Sequence, residues 1–138
     1  AVFSDILSFL ECVVSRNYVA IDFYDGSIMY DFANGKTTIC DIDLFHKQPC
    51  VNDMGRMWGS SRFQSPEEYQ LGADIDEITN VYTLGATAFA LFGEYNRTRE
   101  KWQLSDKLFE IATRAVSDDR TKRQQSIRQF TAEWEAAQ

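Results

Sequence analysis

Apolar residues recur along this chain at helical and strand periods, and one stretch is apolar at nearly every turn. From Asp74 to Gly93 the positions Ile75, Ile78, Val81, Tyr82, Leu84, Ala86, Ala88, Phe89, Leu91 and Phe92 leave no broad polar face. A helix without a wet face belongs inside a domain, with other elements wrapped around it. Asp74 and Glu77 suit its first turn as caps, and Gly93 suits a left-handed stop. The run is too short, and too polar at its start, to span a membrane. Asn80 sits within it, and a buried amide needs partners, so Asn80 is expected to tie the helix to a neighbouring loop.

The rest of the chain arranges itself around that rod. Phe3, Ile6, Leu7, Phe9, Leu10, Val13 and Val14 form one helical stripe over Phe3 to Val14, with Ser4 as cap. Tyr18 to Ile21 reads as a short strand and ends in the turn residues Asp22 to Gly26. Ile28 to Phe32 and Thr37 to Asp41 read as a ribbon joined through Asn34-Gly35. Leu44 to Ser65 has no sustained period and reads as a long loop anchored by Trp58 and Phe63, a length that tends to carry function. Ser65 caps a helical turn that opens at Pro66. Lys101 to Val116 and Arg123 to Ala137 read as amphipathic helices, the second presenting Ile127, Phe130, Thr131 and Trp134 on one face; a charged turn, Asp118 to Lys122, separates them.

These elements predict a mainly α fold of one domain, residues 1–138: a helical bundle around a buried central helix, with a small β-ribbon. The net charge of −7 argues against a nucleic-acid partner, which calls for a basic face, and no membrane segment is visible. Three cysteines without paired spacing and a single histidine, His46, exclude a zinc set. Free thiols suggest a reducing compartment, hence a cytoplasmic location. The chain opens directly in helix periodicity at Ala1, which suggests a piece of something longer.

Four aspartates flank the ribbon: Asp22 and Asp25 before it, Asp41 and Asp43 after it. Gathered carboxylates repel unless a cation or a proton resolves them. A hard ion such as magnesium takes oxygen ligands and leaves positions for water or phosphate. Asp41 and Asp43 alternate along an extended chain and so are expected on one side. The plain alternative is that all four are solvated turn residues.

Order and spacing carry a further reading. Asp22 followed by a turn, a strand from Ile28, a hairpin and Asp41-Ile42-Asp43 resembles a catalytic loop leading into the Asp-Phe-Gly segment of protein kinases. Gly59 to Glu67, closing on Ser65-Pro66-Glu67, resembles the end of an activation segment. Asn80-Val81-Tyr82-Thr83-Leu84-Gly85 resembles the Asp-Val-Trp-x-x-Gly run of the central kinase helix, and Arg123 falls where that family pairs an arginine with the glutamate. The sequence thus resembles the C-terminal lobe of a protein kinase-like protein, of the bacterial serine/threonine kind, over nearly its whole length.

The resemblance implies an ATP- and magnesium-dependent phosphotransferase. In it Asp22 orients or deprotonates the acceptor hydroxyl. Asp41 holds magnesium, with Asp43 and Ser27 as further ligands. Gly59, Ser60 and Ser61 form the acceptor platform, with Ser60 contacting the catalytic loop. Glu67 and Arg123 make a buried structural ion pair. The departures are substantial: His-Arg-Asp reads Ala20-Ile21-Asp22, the loop lysine falls on Tyr24, the asparagine on Ser27, the Asp-Phe-Gly glycine on Asp43 and the helix aspartate on Asn80. Asp43 or Asp25 is expected to compensate at the cation. No glycine-rich loop or strand lysine appears, so the partners implied are an N-terminal lobe and a protein substrate, and neither ATP nor magnesium is expected to bind tightly to this lobe alone. A pseudokinase acting as a binding or scaffold module is the alternative. A metal-dependent phosphohydrolase fits the ribbon but leaves the other matches as coincidence.

Overall fold

The structure, a computed structural model, describes residues 1–138. Its elements in chain order are α1 (Val2–Ser15), β1 (Tyr18–Val19), β2 (Ile28–Asp31), β3 (Lys36–Ile39), β4 (His46–Lys47), β5 (Cys50–Val51), β6 (Asp74–Ile75), α2 (Glu77–Phe92), α3 (Asp106–Ala115) and α4 (Ile127–Ala136). Helix α2 is the apolar rod, and Thr79 to Phe89 are buried without interruption. Its start differs from the expectation. Asp76, not Asp74, is the cap: its Oδ1 accepts from the Ile78 N–H at 2.9 Å, and Thr79 Oγ1 accepts from the Asp76 N–H at 3.2 Å. Asp74 instead lies in β6, where pairing with β5 holds it extended. Its end differs too. Gly93 has φ −133°, and the left-handed residues are Glu94 and Tyr95, at φ 54° and 66°. Glycine is still required at 93, because a Cβ there would lie 2.8 Å from the Asn96 carbonyl oxygen. Leu91, expected inside, is exposed on the last turn.

The other helices pack their apolar stripes on α2. Phe3, Ile6, Leu7 and Leu10 of α1, Leu108, Ala112 and Ala115 of α3, and Ile127, Phe130 and Trp134 of α4 join Val81, Leu84, Ala88 and Phe89 in one core. At Gly85 a Cβ would approach that of Ala115 to 2.7 Å, so glycine lets α3 lie close against α2. Aromatic rings fill the far end: Phe89 meets Trp102 edge-on at 5.2 Å, and Phe130 stacks on Trp134 at 5.7 Å. Both C-terminal helices start later than their periodicity suggests. Trp102 is buried ahead of α3, its indole donating to the Ser105 carbonyl, and Ser105 Oγ caps the Leu108 N–H. Arg123 is extended rather than helical, and α4 begins only after Ser126, whose hydroxyl accepts from the Gln129 N–H. Helix α1 has Ala1, not Ser4, before its first residue and no side-chain cap.

The strands form three separate antiparallel ribbons, β1–β4, β2–β3 and β5–β6. The β2–β3 hairpin pairs Asp31 with Lys36, so its loop is four residues, Phe32 to Gly35, rather than a two-residue Asn-Gly turn. The Asp31 carboxylate closes it by accepting from the Ala33 and Asn34 N–H groups. The stretch read as one long loop contains β4 and β5, which pair to strands distant in sequence. Trp58, expected as an anchor there, is 63% exposed; Phe63 is buried against Tyr82 and Ala86. No helix is long and apolar enough to cross a membrane.

Candidate functional site

Two acidic segments meet where β1 pairs with β4. The chain leaves β1 through Ala20 into Asp22, and it enters β4 from Asp41 to Phe45, so one short ribbon brings the two together. Asn80 fixes the first. Its Oδ1 accepts from the Ala20 N–H at 2.8 Å and its Nδ2 donates to the Ala20 carbonyl at 2.9 Å, with the amide fully buried. An asparagine satisfies both backbone polar groups of one residue. An aspartate here could accept from the N–H but would face the carbonyl with a second acceptor. The match explains why this helix carries asparagine.

Asp22 and Asp41 both stand on left-handed backbone, φ 58° in each case, an uncommon state for non-glycine residues. Partial burial, followed by the charge of Asp41, raises the Asp22 pKa above the ordinary aspartate value. No lysine or arginine forms an ion pair with Asp22, Asp41 or Asp43. The four expected carboxylates do not gather into one cluster, however: nowhere do three or more acidic, histidine or cysteine side chains converge as metal ligands. Asp25 is drawn away, one carboxylate oxygen accepting from the Tyr95 hydroxyl and the other from the Gly26 N–H. The left-handed turn at Asp41 and the irregular chain after it remove the extended alternation expected of Asp41 and Asp43, both of which are exposed. The Ser27 side chain is 1% exposed, and its hydroxyl accepts from the Tyr24 N–H at 3.4 Å within its own turn. Tested against a hard cation, Asp22 and Asp41 fit, being paired carboxylates without a counter-charge. Ser27 and Asp25 as oriented do not.

The segment Gly59 to Ser65 folds over Gln64, whose amide donates to the Met57 carbonyl at 2.7 Å and accepts from the Tyr69 hydroxyl at 2.8 Å. A Cβ on Gly59 would lie 2.9 Å from that amide nitrogen. Ser60 is half-buried and Ser61 exposed. The Ser60 carbonyl closes a turn by accepting from the Phe63 and Gln64 N–H groups, and no hydrogen bond joins Ser60 to the Asp22 loop.

Beneath this platform lies a charge network. Glu67, 4% exposed, binds Arg123, fully buried, through two parallel bonds of 2.7 and 2.9 Å. Burial alone would raise the Glu67 pKa; the hydrogen bonds and charge of Arg123 overcome it and hold the carboxyl at about 2. Arg120, read from sequence only as part of a charged turn, is a second partner. It reaches Glu67 at 2.7 Å and clasps both oxygens of Asp76 at 2.8 and 2.7 Å. Two arginines three apart after paired aspartates were the available signal.

Glu68 is the other residue the sequence reading passed over, although Ser65-x-x-Glu68 is a capping-box pattern. One carboxylate oxygen accepts from both the N–H and the hydroxyl of Ser65, at 2.6 and 2.9 Å. Burial dominates, and the group titrates near 7 instead of 4.5, since Arg123 is already committed to Glu67. The folded chain therefore binds a proton that the unfolded chain has released between those values. Stability from this group is complete below pH 4.5 and is lost as pH rises through 7. Glu68→Gln is expected to flatten that decline and to raise stability above pH 7 by up to about 3 kcal/mol. Urea unfolding at pH 5 and pH 8 measures it, with the larger gain at pH 8.

No protein-family profile matches this chain, and no curated protein does. Among solved structures it is similar to the kinase PK-1 of Cydia pomonella granulovirus, with a TM-score of 0.77 and 14% identity over 96% of this chain. The fold is that of a protein kinase C-terminal lobe. The alignment covers 55% of the viral kinase chain, so this chain spans about half the length of that protein.

Proposed function

We propose that this lobe belongs to an ATP- and magnesium-dependent phosphotransferase of the serine/threonine protein kinase kind, whose nucleotide site is completed by an N-terminal lobe. The observation that supports the reading is the pair Asp22 and Asp41: two carboxylates without a counter-charge, one raising the proton affinity of the other, on segments joined by the β1–β4 ribbon and fastened to α2 through Asn80. Magnesium, when bound, neutralises charge developing on the transferred phosphoryl group. Asp41, exposed beside Asp22, would hold the ion, with Asp43 as a further candidate ligand. Asp22 orients the acceptor hydroxyl and takes its proton; its raised proton affinity suits that role. Gly59 to Ser61 present the acceptor, and the Glu67–Arg123 pair holds that platform on α2.

Carboxyl-carbon NMR of this chain in millimolar magnesium tests the metal assignment without any activity. The Asp22 and Asp41 resonances are expected to move together, and the Asp22 pKa to fall, because a cation favours the charged form. Asp41→Asn should remove the magnesium response. Resonances unmoved by magnesium would refute the assignment. The inward Ser27 hydroxyl and Tyr24 in the lysine position support the second reading, a pseudokinase that binds without transfer. A transfer assay beside thermal-shift titration with ATP and magnesium separates the two.

A further inference from the structure

The connection after α2 bridges the two halves of the proposed site. Glu94 and Tyr95 are both left-handed, an arrangement with no glycine to ease it. It turns Tyr95 back so that its hydroxyl donates to Asp25, 70 residues away in sequence, within the turn that follows Asp22. The same ring carries the Arg62 guanidinium on its face, 4.8 Å from the centroid. Two residues on, Arg97 donates to the Arg62 carbonyl at 3.2 Å and to the Tyr82 hydroxyl at 2.9 Å, and its guanidinium covers the Tyr82 ring at 5.2 Å. Residues 94–97 thus hold the Asp25 turn with one side chain and the Arg62 segment with two. No hydrogen bond joins the two segments directly; Tyr24 packs against the cluster of Phe63, Tyr82 and Ala86, and residues 94–97 supply the polar link between them.

We propose that Tyr95 is a positioning residue: its hydroxyl on Asp25 and its ring under Arg62 join the turn following Asp22 to the segment Gly59 to Ser65, so that the two move as one unit. The proposal deepens the phosphotransfer reading, since both segments belong to that site, but the coupling is a property of this chain whether or not it transfers phosphate. It accounts for Asp25 being spent on Tyr95 and not on a cation. It also gives a purpose to the left-handed pair at Glu94 and Tyr95.

Amide hydrogen exchange on the 138-residue chain reads the coupling directly. Tyr95→Phe keeps the ring and removes the hydroxyl. Exchange at Gly26 and Ser27 is expected to speed up by about tenfold, and at Phe63 and Gln64 by several-fold, with the α2 amides from Leu84 to Ala88 unchanged. Arg62→Ala approaches from the other end and must also speed Gly26 and Ser27, which it does not touch. If Arg62→Ala leaves Gly26 and Ser27 unaltered, or Tyr95→Phe alters only the Asp25 turn, Tyr95 does not couple the two segments and the proposal fails. No nucleotide enters the measurement, so its outcome is separate from that of the magnesium titration.

Discussion

Asp22→Asn, in a protein carrying both kinase lobes, is expected to lower phosphate transfer by about 10²- to 10⁴-fold, the usual worth of a positioned general base. The fold should not suffer. Asp22 makes no ion pair, and burial and Asp41 both disfavour its charge, so the amide relieves a repulsion instead of breaking a bond. Unfolding curves of mutant and parent should coincide, or the mutant should unfold at slightly higher denaturant. Asparagine also tolerates the left-handed backbone that Asp22 adopts, at φ 58°. A transfer assay on matched samples decides the matter. Undiminished transfer would remove Asp22 from the chemistry and leave the binding-module reading.

The largest loss of stability is expected at Arg123→Ala, about 3–5 kcal/mol, because a buried carboxylate is left short of its main partner. Arg120 still reaches Glu67 at 2.7 Å and softens the effect, but Arg120 is also committed to Asp76. The substitution removes more than charge. The Arg123 guanidinium lies 5.1 Å from the centre of the Tyr82 ring, and its Nε donates to the Ser117 carbonyl at 2.8 Å. Arg123→Lys keeps the charge yet cannot form the two parallel bonds, so it should recover only part of the loss. Urea unfolding, read as a shift of midpoint at constant slope, measures both variants. The pH dependence gives an independent check. Glu67, held at about 2 against an ordinary 4.5, stabilises the parent above pH 4.5, and that contribution fades as pH falls through 2. With Arg123 gone, the Glu67 pKa rises back toward its ordinary value, so the loss of stability on acidification should become shallower than in the parent.

The architecture was legible wherever one residue pattern fixed one environment. The apolar run from Val81 to Phe89 could only be a buried helix, and the stripe Ile127, Phe130, Thr131 and Trp134 could only face it. Boundaries were not legible where tertiary demands overrode local periodicity. Arg123 has good helix propensity, but Glu67 claims it, so α4 waits for the Ser126 cap. Asp74 looked like a cap until β5 paired with its strand. At the candidate site, the proximity of Asp22 and Asp41 followed from the order of motifs, whereas the diversion of Asp25 to Tyr95 depends on a left-handed turn 70 residues away that no local pattern announces. Strands of two residues, such as β4 and β5, carry too few positions for a period to show.

The grip of Asn80 on Ala20 involves a neutral amide, with no proton to gain or lose across the physiological range. Acidity can therefore change the charge that Asp22 bears, and it can change the ionisation of Glu68 beneath the platform. It cannot change the footing on which Asp22 stands. An aspartate at this position would have made the anchor itself sensitive to the medium. Here the acidic end of the loop responds to its surroundings from a mount that does not.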